Sequence, residues 1–158
     1  MFLIICYQFS VAFFEQITKK SRNQVSKYLF VYGTLRSEFE NPMAQFLQQN
    51  ATYICDGNIK GRLYDVGTYP ALIHDDNTDK RVEGQILEMN DMDQILDVLD
   101  PYEGVDDELY VRQIIPIQLE NQSFLSCWVY LFNRSVLFLK EIEEPNYVAY
   151  LNKKKNND

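Results

Sequence analysis

The sequence predicts an α+β fold, a small, mixed, largely antiparallel β-barrel carrying two short helices. Three observations predict it. The 158 residues, a length suited to one domain, include 11 Tyr and 10 Phe alongside many Val and Ile, a composition that favours strands. Runs of these residues are broken by Gly, Pro and polar turns, and only two stretches carry helical spacing. Strands and helices do not alternate as βαβ units, which argues against a doubly wound parallel sheet.

Residues 1–26 open with MFLIICYQFSVAFF, too short an apolar run for a membrane-crossing helix of about 20 residues. No Lys or Arg precedes it and no clear small-residue cleavage pattern follows, as a secretory leader requires. The polar stretch EQITKKSRNQVSK reads as a linker, and the whole segment is expected to lie outside the core fold. Deleting residues 1–25 is expected to leave a folded domain, which circular dichroism of the shortened chain would check. The domain itself is placed at residues 27–150, with 151–158 as a polar tail.

KYLFVYGTL (27–35) reads as a buried strand entering a tight loop at Gly33. NPMAQFLQQN (41–50) reads as a helix, with Asn41 as its cap, Pro42 at the first helical position and Met43, Phe46 and Leu47 on one face. From 51 to 73, β-branched and aromatic residues punctuated by Gly57, Gly61, Gly67 and Pro70 suggest bent or bulged strands. VEGQILEMN (82–90) is a further strand. DQILDVLD (93–100) is a second helix capped by Asp91 and ending near Pro101. Residues 109–119 and 123–132 form an antiparallel hairpin, in which Pro116 marks an edge or a bulge.

Charge and cysteine usage exclude several function classes. The net charge is −8, and Asp and Glu crowd residues 75–108, where only Lys80 and Arg81 are basic. No stretch of the folded region is strongly basic, so the footprint of a nucleic-acid binder is missing. The Lys153–Lys155 run reads as solvated. Cys6, Cys55 and Cys127 are odd in number and show no CxxC spacing, which supports neither a disulfide framework nor a zinc site and fits a cytoplasmic location. His74, the single histidine, reads as a loop residue among acids. No metal or organic cofactor is expected, and the partner is a small molecule rather than nucleic acid or membrane, with a monomer as the default state.

Two local features carry chemistry. Tyr32-Gly33-Thr34-Leu35 closes the first strand; it is either a plain strand-end turn, where Gly supplies unusual backbone angles, or a loop whose N–H groups converge on an anion. Leu99-Asp100-Pro101-Tyr102-Glu103-Gly104 ends the second helix and is followed by Tyr110-Val111-Arg112. Glu103 is either a solvated carboxylate or one held against an apolar wall, supplied by Tyr102, Val105, Leu109 and Tyr110, where it can shuttle a proton.

Together, YGTL, LDPYEG and YVR, in this order, resemble the γ-glutamylcyclotransferase-like superfamily, which includes AIG2-like proteins and γ-glutamylamine cyclotransferases. Tyr69-Pro70-Ala71 and Val82-Glu83-Gly84-Gln85 also resemble family segments, and the likeness covers residues 27–133. The resemblance implies the family's small barrel. It also implies an enzyme that cyclises a γ-glutamyl compound to 5-oxoproline and releases an amine or amino acid. By the same resemblance Glu103 is the catalytic base and acid, Tyr32, Gly33, Thr34 and Leu35 bind substrate, and Tyr110 matches a strand position beside them. Arg112 matches the pattern with a structural part. The alternative is the same barrel serving as a non-catalytic binding module. The loop departs from the family pattern at Arg36-Ser37-Glu38-Phe39-Glu40, where Glu38 and Glu40 are expected to oppose an anionic group.

Overall fold

The first apolar run forms strand β1 (Tyr28–Val31) in the computed structural model, which describes residues 26–157. Its two faces serve two cores. Phe30, with Tyr32 just beyond the strand, packs among Ile59, Ile86, Ile117 and Val129. Leu29 and Val31 pack instead with Leu47, Leu96 and Leu99 beneath the helices. A strand buried on both sides needs apolar residues throughout, which is why this segment does not alternate.

Around the first core, β1 pairs with β4 (Arg81–Met89), which pairs with the long β2 (Ala51–Asp65). On its other side β1 meets β6 (Phe124–Phe132), the partner of β5 (Tyr110–Leu119). The ring closes where β5 touches β2 at Gly57 opposite Leu119 and Asn58 opposite Gln118. Every pair is antiparallel except β1 with β6, which bridge in parallel at Leu29 and Trp128. β3 (Pro70–His74) and β7 (Lys140–Ile142) both attach to the later half of β2. The fold is thus the mixed, mainly antiparallel barrel that the sequence predicts. Pro116 keeps register opposite Ser126 and lies on the part of β5 that has no second neighbour, so it marks an edge. The bulge is in β2, between Tyr53 and Cys55.

Helix α1 (Pro42–Asn50) begins as expected: the Asn41 side chain accepts from Met43 N at 3.1 Å and Ala44 N at 2.9 Å. Asn41 also donates to the Thr34 carbonyl at 2.6 Å, tying the helix start to the glycine loop. Helix α2 (Met92–Tyr102) is capped by Asp91 through Gln94 N and runs one residue past Pro101.

Three expectations are corrected. There is a third helix, α3 (Tyr147–Asn157), which extends through the segment read as a polar tail. Tertiary contacts create it: Tyr147 is buried in the barrel core with Tyr150, and Asn146 accepts from Val148 N at 3.0 Å. Within the Lys153–Lys155 run, Lys153 reaches Glu144 at 2.6 Å and Lys154 reaches Asp65 at 2.9 Å. His74 is not in a loop; it is the last residue of β3, opposite Gly61. The readings made for the apolar N-terminal segment lie outside the described residues. Of the three cysteines, Cys55 and Cys127 are described, and both are free thiols.

Candidate functional site

One end of the barrel opens into a cleft of about 270 Å³. Its floor and walls come from the loop after β1, the start of β3, the end of α2 and the start of β5. All six residues singled out in the sequence, Tyr32, Gly33, Thr34, Leu35, Glu103 and Tyr110, line this one space.

The loop is held open by close approach rather than by unusual backbone angles. A Cβ on Gly33 would lie 2.7 Å from Pro70 Cγ, and Gly33 is not among the residues with positive φ. Of the two readings of this glycine, the strand-end turn therefore gives the wrong reason for it. The turn closes with Arg36 N donating to Gly33 O at 3.2 Å. Among the described residues, the N–H groups of Thr34 and Leu35 form no backbone hydrogen bond. The opposition expected from Glu38 is reduced because Arg36 holds its carboxylate at 2.5 Å; burial raises the Glu38 pKa, but the hydrogen bonds and charge of Arg36, with help from its own backbone and Ser37, outweigh it and leave it lowered.

Glu103 follows α2 as its C-cap, with its N–H donating to Leu99 O at 2.8 Å. Gly104 takes φ +66, the left-handed turn that ends many helices and that glycine adopts at little cost. The chain then doubles back to Leu109 and Tyr110, with Leu109 N bonded to Gly104 O at 3.0 Å. This leaves the Glu103 carboxyl against the apolar wall. Among the described residues no donor bonds to it, and burial alone pushes its pKa up to about 7.

Tyrosines surround the carboxyl. Burial first, then neighbouring charge that includes Glu103, pushes the Tyr32 and Tyr110 phenols far above their ordinary value. Both stay protonated, yet both spend their proton on the frame: Tyr32 donates to Tyr130 O at 2.7 Å and Tyr110 to Pro70 O at 2.8 Å. They therefore stiffen the cleft, whose other lining hydroxyls are those of Thr34, Tyr69 and Tyr102, together with Tyr130. Tyr102, half exposed at the rim, also feels the Glu103 charge after burial.

The sequence left Tyr69, Pro70 and Tyr130 without a part, although all three line the cleft. The Tyr-Pro pair was noted as a family-like segment and was the available signal for the first two. Tyr130 is set by a contact across the barrel that local pattern does not carry. Arg112 does not line the cleft. It sits 3.0 Å from the Asp100 carboxylate and 4.8 Å over the Trp128 ring, while Tyr130 donates to the same Asp100 at 2.7 Å. Val105, expected in the wall, packs into the core beneath the helices instead. Among the described residues no group of three or more His, Cys, Asp or Glu side chains is placed to hold a metal ion, and no helix is long and apolar enough to cross a membrane.

A barrel whose cleft is lined by a half-buried carboxyl and a glycine loop defines a class of small-molecule site, and comparison with known proteins gives the family. The family described as gamma-glutamyl cyclotransferase, AIG2-like, matches residues 29–150; the chain belongs to it. YkqA from Bacillus subtilis has a similar structure, with a TM-score of 0.65 at 20% identity. That match covers 84% of this chain but 43% of the other, so the chain spans less than half of that protein's length. An AIG2-like protein from Mus musculus is 25% identical over 75% of this chain and 86% of its own, with a TM-score of 0.61. The protein ytfP from Escherichia coli is 28% identical over 77% and 96%, with a TM-score of 0.56. No curated protein gives a significant match.

Proposed function

We propose that this protein is a cyclotransferase that converts a γ-glutamyl compound to 5-oxoproline, releasing an amine or amino acid, with Glu103 as base and then acid. The observation that supports the reading is the Glu103 carboxyl: half-buried, without a hydrogen-bond donor among the described residues, and lining the same cleft as Thr34 and Leu35, whose N–H groups form no backbone hydrogen bond.

The chemistry follows from these groups. The ionised carboxylate takes a proton from the substrate α-ammonium. The freed amine attacks the γ-carbonyl of the same molecule, a nitrogen–carbon bond forms, and the five-membered ring closes. The carbon–nitrogen bond to the leaving amine breaks, Glu103 delivers its proton to that nitrogen, and the second proton shed by the ring nitrogen leaves with the amine, which departs as an ammonium ion. A pKa of about 7 suits one group to both transfers near neutral pH. Positioned proton transfer contributes typically about 10²–10⁴-fold. Holding nucleophile and carbonyl in an attacking geometry contributes up to about 7–11 kcal/mol. The loop N–H groups bind the substrate carboxylate or the oxygen that gains charge as the ring closes.

The test is release of 5-oxoproline from a panel of γ-glutamyl amino acids, amines and isopeptides, with the wild type beside Glu103→Gln. Product from the wild type and a loss of at least about 100-fold in the variant is expected. Equal turnover by a folded Glu103→Gln protein removes Glu103 from the reaction. Absence of product from the whole panel, with the wild type folded, removes the reaction itself.

A further inference from the structure

A second opening, of about 410 Å³, lies away from the Glu103 cleft. It forms where the barrel seam parts. β5 touches β2 only at its last residues, Gln118 and Leu119, and the two strands then diverge. The gap is walled by Lys60 and Arg81 on one side and by Ile115, Pro116 and Phe124 on the other, with His74 and Asp76 at the rim. From Tyr110 in the Glu103 cleft to Pro116, the chain of β5 runs about 20 Å.

Two features of this gap are unusual for a chain of net charge −8. Lys60 and Arg81 stand directly opposite each other in the β2–β4 ladder, so their side chains share a face. Like charges so placed repel. Proteins commonly relieve such a pair with a carboxylate, as this chain does at Lys80, Arg62 and Arg112. Among the described residues neither cation has one within 4.0 Å. Lys60 donates to the Asp76 main-chain carbonyl at 2.9 Å and Arg81 to the Asn58 side-chain oxygen at 3.3 Å. The Asp76 carboxylate is 3.3 Å from His74 instead. The gap also has an apolar lining left open to water: Phe124, opposite Gln118 in the β5–β6 ladder, is 62% exposed, and Pro116 lines the same gap. Pro116 has no N–H, so this free edge of β5 resists extension by another strand. The site is therefore built for a small molecule rather than for a peptide added to the sheet.

We infer that the gap between β2 and β5 is a second ligand site, which takes a small anion with an attached flat apolar body. The anionic group lies between Lys60 and Arg81, and the body lies on Pro116 and Phe124.

The experiment is a titration of the ¹⁵N-labelled full chain with phenyl phosphate, and in parallel with inorganic phosphate and phenol. Phenyl phosphate is expected to bind saturably, shifting amides at 58–60, 81 and 124 while those of Thr34 and Leu35 stay still. Lys60→Gln and Arg81→Gln should each weaken it at least 5-fold. Phe124→Ala should weaken phenyl phosphate and leave inorganic phosphate unchanged. Glu103→Gln should bind as the wild type does, which separates this site from the one that carries the proposed reaction. Both charge variants relieve a repulsion, so their melting temperatures should equal or exceed that of the wild type, and a failure to fold is not expected to obscure the result. Non-saturating shifts, equal affinity of the Lys60→Gln/Arg81→Gln double variant, or shifts confined to the Glu103 cleft would each overturn the inference.

Discussion

A carboxyl group placed against apolar side chains with no donor to greet it is destabilising when charged, and this gives Glu103 a measurable signature apart from catalysis. Its ordinary pKa of 4.5 applies to the unfolded chain, and about 7 applies to the folded one. Between these values the folded state holds a proton that the unfolded state has released, so stability falls as pH rises from about 4.5 to about 7 and then levels off. Glu103→Gln removes that penalty. We expect the variant to melt higher than the wild type at pH 8 and equally at pH 4, with a difference of at most about 3 kcal/mol, read by thermal denaturation. Activity runs the other way: kcat/KM for 5-oxoproline release should rise with pH to a plateau above about 7, as the carboxyl ionises. Gly33 gives a second check at this scale. Gly33→Ala sets a methyl 2.7 Å from Pro70 Cγ. It should push the loop and β3 apart, costing about 1–3 kcal/mol by overpacking and lowering turnover, as measured by denaturation and by product release.

Helix α2 is the element that delivers Glu103, and one turn earlier it is anchored by Asp100. That carboxylate accepts from Tyr130 on β6 and pairs with Arg112 on β5, so the helix end is fastened to both strands of the hairpin. Asp100→Ala leaves a partly buried guanidinium unpaired and a phenol without its acceptor. We expect a loss of about 1–3 kcal/mol in stability, and a fall in kcat larger than any rise in KM, because the helix end that carries Glu103 loses its fixed position. Helices of this kind were legible in the sequence: Asn41, Pro42 and Asp91 announce where α1 and α2 begin, since caps act through neighbours in the chain. The hairpin of β5 and β6 was legible for the same reason. α3 was not, because NKKKNN has no apolar stripe and its helix rests on Tyr147 reaching a core built by distant strands. β7, three residues long, is too short to show a period. At the site, Glu103 and the Tyr32–Leu35 loop could be singled out as motifs, whereas Tyr130 enters the cleft only because β6 lies beside β1.

On the scale of the whole molecule, α3 acts as a plug. Tyr147 is 1% exposed and Tyr150 packs beside it against the inner face of the barrel. Removing residues 147–158 should abolish a cooperative melting transition, while removing only 152–158 should preserve it and lower its midpoint modestly, since Glu144 and Asp65 lose the partly exposed ion pairs they make with Lys153 and Lys154. Circular dichroism of the two truncations checks both outcomes. The closure of the barrel carries a further consequence. Tyr32 bonds to Tyr130, 98 residues away in the chain, and β1 meets its parallel neighbour only at β6. During synthesis β1 leaves the ribosome early and waits, one edge unpaired, until nearly the whole domain has followed. Contacts of such long range slow folding, and an apolar strand left waiting is a site where chains can associate wrongly. Refolding should therefore show its slowest phase in the docking of β1 against β6, and the pocket around Glu103 should come into being in that last phase, with no partly folded species able to bind substrate before it.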